Sequence, residues 1–164
     1  MQQQLELFLR DGVYESAQLL GELLIALAMA PLEKCAWLSA TANDDDMRAF
    51  HAKSCYLFAE LLVAKREFKR AIQYYKRHWK LKMTKTNSAV TAEAVEVKAK
   101  IAKCWVQLEN PHQAIEMLNS IPAQVRSLSV NLMLGKLYLY EGLKNKAEES
   151  YTMALRFGCL HLLR

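Results

Sequence analysis

The side chains best suited to chemistry are four cysteines, four histidines and two acidic clusters. Thiols and imidazoles ligate metals or act as nucleophiles when a sequence places them at recognisable spacings. Here they are scattered, and neither a C-x-x-C pair nor an H-E-x-x-H motif occurs. We therefore expect no metal site, cofactor or disulfide framework; the cysteines should be buried free thiols, and the histidines should lie at helix ends and surfaces. The residues are Cys35, Cys55, Cys104, Cys159, His51, His78, His112 and His161.

The two acidic clusters also have structural interpretations. Asp44, Asp45 and Asp46 are adjacent, so they lack the alternating ligand spacing of a calcium loop. Carboxylates suit the start of a helix, where they cap free N–H groups and oppose the positive end of the dipole. Glu148 and Glu149 are expected to form a surface pair near a helix start. Because phosphate loops, G-x-G-x-x-G and nucleophile elbows are also missing from the sequence, we predict a protein that is not an enzyme and has no small-molecule substrate.

Composition indicates which elements carry these side chains. The chain has 164 residues, 52% of them hydrophobic, with only five glycines and three prolines, which favours packed helices. No apolar run reaches the roughly 18–20 residues of a membrane span, and the polar N-terminus is unlike a signal peptide. We therefore expect a soluble, intracellular protein that does not bind membranes. The sequence also has no N-x-S/T acceptor site, which is consistent with the expected nuclear and cytoplasmic location.

Small and large residues recur at fixed spacing in the C-terminal half. Small residues beside large ones let two antiparallel helices pack closely and then stack on the next pair. The last copy of the pattern is restated 33 residues upstream, and a third copy lies further towards the N-terminus. This spacing resembles the tetratricopeptide repeat, a unit of about 34 residues; four unrelated amphipathic helix pairs are the alternative. The predicted packing residues are Phe58, Ala59, Leu62, Ala71, Tyr75, Ile101, Ala102, Trp105, Ala114, Leu118, Leu134, Gly135, Tyr138, Ala147, Tyr151 and Ala154.

The predicted fold is all-α, a right-handed superhelical stack of antiparallel helix pairs forming a tetratricopeptide-like solenoid. We expect a single domain over residues 1–164 with about four pairs, the first of which fits the repeat only weakly. The chain stops where a further repeat would begin and has no polar capping helix, so we expect it to be the N-terminal part of a longer repeat protein. The predicted pairs span residues 2–29, 46–82, 91–120 and 124–158.

Positive charge is concentrated in one segment. The formal net charge is +5, and residues 65–85 contain nine basic residues but a single acidic one. One interpretation is a solvated outer face with basic residues favoured late in the helix by its dipole. Others are a docking surface for an acidic protein partner or for nucleic acid, the last disfavoured because no base-stacking array accompanies the charges. The candidate acidic-partner surface comprises Lys69, Arg70, Lys76, Arg77 and Lys80.

Three segments go beyond the generic repeat pattern. They are EVKAKIAKC (residues 96–104), AIEMLNSIP (114–122) and NLMLGKLY (131–138). These resemble the N-terminal region of the tetratricopeptide scaffold subunits of the anaphase-promoting complex, most of all the subunit-seven family. The resemblance implies a non-catalytic scaffold in a ubiquitin ligase of the cell cycle that acts in mitosis, with other scaffold subunits as partners. It also implies that the N-terminal repeats form a homodimer.

The N-terminal helices carry apolar residues that fit such a dimer. The helix expected over residues 13–29 is apolar on more than one side, so a single packing partner cannot cover it. The candidate dimer interface is Leu5, Phe8, Leu9, Leu20, Leu23, Leu24 and Leu27.

The main alternative function is that of a peptide-binding adaptor or co-chaperone module. Such tetratricopeptide domains hold a C-terminal carboxylate in a groove lined by the first helix of each repeat. The groove position expected to carry an asparagine has Glu60 in the second pair, and Glu60 would repel a carboxylate. A nucleic-acid-binding helical repeat is a third possibility and depends on the basic segment alone.

Overall fold

The computed structural model describes residues 1–29, 44–83 and 92–162, with the side chains of 44, 83 and 157–162 outside that description. The described residues form eight α-helices and one short 3-10 helix, and no strand occurs among them. The helices are α1 (Gln2–Arg10), α2 (Tyr14–Met29), α3 (Asp44–Ala64), α4 (Phe68–Met83), α5 (Ala92–Gln107), α6 (Pro111–Asn119), α7 (Leu128–Tyr140) and α8 (Lys144–Leu162), with the 3-10 helix at Ala123–Val125.

Consecutive helices pack as pairs, which confirms the prediction of an all-α, tetratricopeptide-like fold. The chain divides into two compact units, Met1–Ser88 and Ala89–Arg164. In the first unit α1 packs on α2, α3 packs on α4, and α1 and α2 both contact α3. In the second unit α5 packs on α6 and α7 on α8, and α6 contacts α7. No helix among the described residues has the length and apolarity needed to cross a membrane.

The helix bounds differ from the predicted ones at a few ends. The seventh helix begins at Leu128 rather than at residue 124, because the Ser127 side chain caps it by accepting a hydrogen bond from the Val130 N–H at 3.4 Å. The residues before Ser127 instead form the 3-10 helix. The last helix continues to Leu162, past the expected end at 158.

The same turn joins the two helices of every pair. A residue with positive φ follows the first helix: Gly12 (75°), Arg66 (62°), Glu109 (55°) and Gly142 (75°). The N–H of the next residue then bonds to the carbonyl five positions earlier, as in Leu143 to Tyr138 at 2.8 Å. This is the Schellman arrangement, which satisfies the last carbonyls of the helix. Its four copies, at Val13, Glu67, Asn110 and Leu143, show that the weakly matched first pair has the same turn as the other three.

The core of the N-terminal unit is built where α2 crosses α3. Gly21 faces Phe58 so closely that a Cβ on Gly21 would lie 2.5 Å from the ring. Phe58 also makes an edge contact with Tyr74, with ring centroids 4.8 Å apart. The absent side chain at Gly21 is therefore what lets α2 approach α3 at this point.

The C-terminal unit has an equivalent close approach within its last pair. A Cβ on Gly135 would lie 2.7 Å from the Tyr151 ring, so α7 and α8 meet at a position that only glycine fits without displacement. Around them, the cluster of buried side chains includes Val95, Leu118 and Leu134. This core joins residues of all four helices of the unit.

Two cationic side chains fix the end of α6. Lys98 is buried and its Nζ donates to the carbonyl of Ser120 at 3.0 Å. Arg126 donates through Nε to the carbonyl of Ile121 at 2.8 Å and through Nη2 to that of Asn119 at 3.3 Å. Carbonyl groups at a helix C-terminus lack helical partners and carry partial negative charge, so cations suit them.

Candidate interaction surfaces

The cysteines that the structure describes are placed for packing. Cys55 and Cys104 are not in a disulfide, and both are buried. Burial raises the pKa of Cys55 to about 11, although the nearby positive charge of Arg77 acts in the opposite direction. Cys55 is therefore protonated at neutral pH and is a poor nucleophile. Cys35 and the side chain of Cys159 lie outside the described residues.

The expectation that the histidines lie at helix ends and surfaces is wrong for His78. This residue is buried, and its Nδ1–H donates to the carbonyl of Ala52 at 2.8 Å. Its ring also packs 5.3 Å from that of Tyr56. His78 follows Tyr75 by one helical turn on the inner face of α4, which is why it enters the core. It joins α4 to α3 by a hydrogen bond that sequence reasoning did not anticipate.

His51 and His112 have different surroundings. His51 is half-buried, and its Nε2 has no hydrogen-bond partner among the described residues. Burial, and then the charge of Arg77, lower the pKa of His51 below its ordinary value. His112 is exposed and lies 3.6 Å from the carboxylate of Glu141. The side chain of His161 is outside the described part.

The acidic clusters lie on the surface. Asp45 and Asp46 are exposed in the first turn of α3, which begins at Asp44, so these carboxylates lie at the positive end of the helix dipole. Glu148 and Glu149 are exposed on α8 along an open depression of about 700 Å³. Within the described ranges, no group of three or more histidine, cysteine or acidic side chains could hold a metal ion.

The predicted repeat-packing residues lie at the contacts between helices. Fourteen of the sixteen are buried, while Trp105 and Tyr151 are half-buried. In the second pair, Tyr75 hydrogen-bonds through its hydroxyl to the carboxylate of Glu60 on α3. In the C-terminal unit, the Tyr138 hydroxyl is bonded to the Asn119 side chain at 2.9 Å, which ties α7 to α6.

The residues of the candidate dimer interface separate into buried, half-buried and exposed ones. Leu5 and Leu24 are completely buried inside the chain's own core, so they have no surface to offer a partner. Their placement follows from α1 and α2 both packing on α3. Leu23 is exposed on α2, while four residues, Phe8, Leu9, Leu20 and Leu27, are half-buried.

The apolar surface of α2 includes a residue that sequence reasoning missed. Leu19 is 73% exposed and lies one turn before Leu23, which is 49% exposed. Ala26 continues this row on the side of α2 opposite to the buried residues Ala17 and Gly21. The spacing i, i+4, i+7 was visible in the sequence, but the choice of inner and outer faces needed the packing of α2 on α3. We refer to Leu19, Leu23 and Ala26 as the α2 apolar row.

The basic segment becomes an outer surface of α4. Lys69, Lys76 and Lys80 are exposed, and their separations of seven and four residues place them on one face. Arg70 forms an ion pair with Glu67 one turn earlier, and Arg77 is half-buried beside α3. The structure thus brings the predicted positions to one side of the helix, with Arg77 at its inner edge.

Three proteins of similar sequence share one name. No family model matches the chain. Over 154 residues, or 88% of the chain, it is 28% identical to the proteins named "Anaphase-promoting complex subunit 7" of Homo sapiens and Mus musculus. It is 26% identical over 175 aligned residues, 94% of the chain, to the protein of the same name from Arabidopsis thaliana. The aligned region covers 26–29% of these curated relatives, so the chain spans about a quarter of their length. The chain is therefore similar, over most of its own length, to subunits of the anaphase-promoting complex.

Proposed function

We propose that this chain is part of a non-catalytic scaffold subunit of the anaphase-promoting complex, of the subunit-seven kind. The observation that carries the proposal is the similarity to the relatives of that name over 88% of the chain. The all-helical paired architecture supports it, because stacked helix pairs offer long surfaces for protein partners. Acting in this complex would place the protein in the ubiquitin pathway of the cell cycle, in the nucleus and cytoplasm.

The test is incorporation into the complex. The tagged protein is co-expressed with the other subunits of the anaphase-promoting complex from the same organism, and the assembly is isolated through a different subunit. We expect the tagged protein at a fixed ratio to its partners after size-exclusion chromatography. A protein that elutes apart from the assembled complex would contradict the proposal.

The proposal includes a homodimer formed through the N-terminal unit. The α2 apolar row supports this, since exposed apolar side chains are stabilised when a second apolar surface covers them. A two-fold dimer would pair the row with its own copy. We expect Leu19→Glu combined with Leu23→Glu to turn a dimer into a monomer without loss of helicity.

A matched control separates a specific interface from general stickiness. Leu139 and Leu155 in the C-terminal unit are 51% and 69% exposed, so Leu139→Glu with Leu155→Glu makes the same chemical change elsewhere. Multi-angle light scattering should give a dimer mass for this control and for the unmodified chain. A monomeric unmodified chain, or dimer loss in both variants, would contradict the role assigned to the α2 apolar row.

The peptide-adaptor alternative has less support. Its carboxylate groove would need a neutral or positive group at Glu60, which instead accepts a hydrogen bond from the hydroxyl of Tyr75. A carboxylate ligand there would meet an acidic side chain already held in place.

A further inference from the structure

We propose that the outer face of α4 is a docking surface for an acidic, extended protein segment, independent of the scaffold assignment. Lys69, Lys76 and Lys80 define this surface, which we call the α4 basic face. It lies on a helix of six basic residues and no acidic residue.

Several basic residues of α4 lie at positions where positive charge does not stabilise a helix. Lys80 and Lys82 lie in the last turn, where cations interact well with the helix dipole. In the first turn, where the dipole disfavours positive charge, Arg70 is ion-paired with Glu67 just before the helix, but Lys69 is a further cation in a turn that has no acidic residue of its own. Lys76 and Lys80 are also like charges four residues apart, which destabilises a helix. The simple interpretation of a solvated, dipole-favoured surface therefore explains only the end of α4.

The C-terminal unit provides the contrast. Helix α8 also has an exposed face, but that face carries charges of both signs, Lys144 and Lys146 together with Glu148 and Glu149. Such interspersed charges are what a surface needs for solubility alone. The single-sign pattern of α4 is thus not a general property of this chain.

A positive charge on α4 also affects a residue of α3. Arg77, at the inner edge of the α4 basic face, contributes to the lowered pKa of His51 on α3, after the larger effect of burial. Arg77 thus adds a positive charge between α4 and α3, next to the α4 basic face.

Geometry indicates the size of the partner segment. Lys69 and Lys80 are 11 residues apart in one helix, which corresponds to about 16 Å along the axis. An extended chain covers that distance with about five residues. An acidic stretch of that length, docked along the helix, could place carboxylates opposite all three lysines. The aromatic side chains of α4 are buried or half-buried, so none of them is exposed for base stacking, which favours a protein segment over nucleic acid.

Fluorescence anisotropy with a labelled hexaglutamate peptide, and hexaglutamine as the neutral probe, tests the proposal on the full chain. We expect salt-dependent binding of hexaglutamate only, weakened about tenfold or more by the triple variant Lys69→Glu, Lys76→Glu and Lys80→Glu. The matched control reverses the charge of Lys103, Lys136 and Lys144, which are also exposed but lie in the C-terminal unit, for the same change in net charge. It should change the affinity by no more than about twofold.

Three results would overturn the proposal. They are no binding of hexaglutamate, equal loss in the two triple variants, and tighter binding of an oligonucleotide of the same charge through the same lysines. A separate measurement excludes unfolding as the cause of lost binding. Because Lys69 opposes the helix dipole, Lys69→Glu should raise the melting temperature slightly while weakening peptide binding. A fall in both would contradict the argument.

Discussion

The turns between paired helices allow a stability experiment with opposite expected signs in one unit. Gly142 and Glu109 occupy the same position after α7 and α5, with φ of 75° and 55°. A Cβ on Gly142 would meet no atom within 4 Å, so Gly142→Ala adds no clash and changes only the backbone energetics. Glu109 is exposed, so Glu109→Gly removes little packing.

The magnitude follows from two opposing effects. Holding a residue with a Cβ in the left-handed region costs about 1–2 kcal/mol in the folded state. Alanine recovers about 0.5–1 kcal/mol relative to glycine, because the unfolded chain loses less conformational freedom. Gly142→Ala should therefore lower the free energy of unfolding by about 0.5–1 kcal/mol, and Glu109→Gly should raise it by a similar amount.

Urea titration followed by far-ultraviolet circular dichroism measures both changes, with the slope m checked for constancy. Thermal melts should shift by about 2–8 °C in opposite directions. Both variants lie in the same compact unit, so they report on the same transition. A neutral Gly142→Ala or a destabilising Glu109→Gly would refute the assignment of the two positions to one turn type.

Four further perturbations test individual contacts. Gly135→Ala should lower the free energy of unfolding by about 1–3 kcal/mol, because the added Cβ forces the Tyr151 ring to move. The same substitution should cost less in a Tyr151→Leu background. Urea titration of the single and double variants measures this coupling, and its absence would contradict the close approach. The pKa of His51 is lower in the folded protein than in the unfolded chain, so the unfolded chain takes up the proton first as the pH falls below about 6.5. The free energy of unfolding should therefore decrease as the pH falls from that value through the folded pKa of His51. Arg77→Gln should raise the His51 pKa in an NMR titration but leave it below the ordinary value, because burial remains; an unchanged pKa would contradict the Arg77 contribution. Arg126→Ala should lower the unfolding free energy of the C-terminal unit by about 1–2 kcal/mol, since the carbonyls of Asn119 and Ile121 at the C-terminal end of α6 lose this donor; unchanged thermal stability would argue against that role.

Much of the fold could be predicted from small residues beside large ones. Ala102, Ala114 and Ala147 are fully or almost fully buried, because only small side chains let the two helices of a pair approach each other. The same reasoning failed to identify Gly21, since its role depends on Phe58 in another helix 37 positions later. Close packing between segments that are distant in the sequence has no local sequence pattern from which it could be predicted.

The interaction surfaces were less predictable. The sequence shows that α2 is apolar on several sides, but which leucines face outwards depends on how α1 and α2 pack on α3. Leu5 and Leu24, which were predicted at the interface, therefore lie in the core, whereas Leu19, which was not predicted there, lies on the surface. His78 and Lys98 are polar residues whose burial depends on a carbonyl acceptor in a neighbouring segment, at Ala52 and Ser120. No single-helix pattern reveals such an acceptor.

The turn residues illustrate a different limit. Gly12 and Gly142 are recognisable as helix terminators, since glycine adopts positive φ without strain. Arg66 and Glu109 take the same conformation without any such signal. Their turns are imposed by the packing of the helices on either side, which outweighs the local backbone cost.

The scaffold assignment is tested most directly by the composition of the assembled complex. The protein is tagged at its own locus, the complex is purified at native expression level, and its mass and stoichiometry are measured by native mass spectrometry. The account predicts two copies of the protein in each particle together with the other anaphase-promoting complex subunits. Particles that contain those subunits without this protein, or the protein recovered without them, would contradict it.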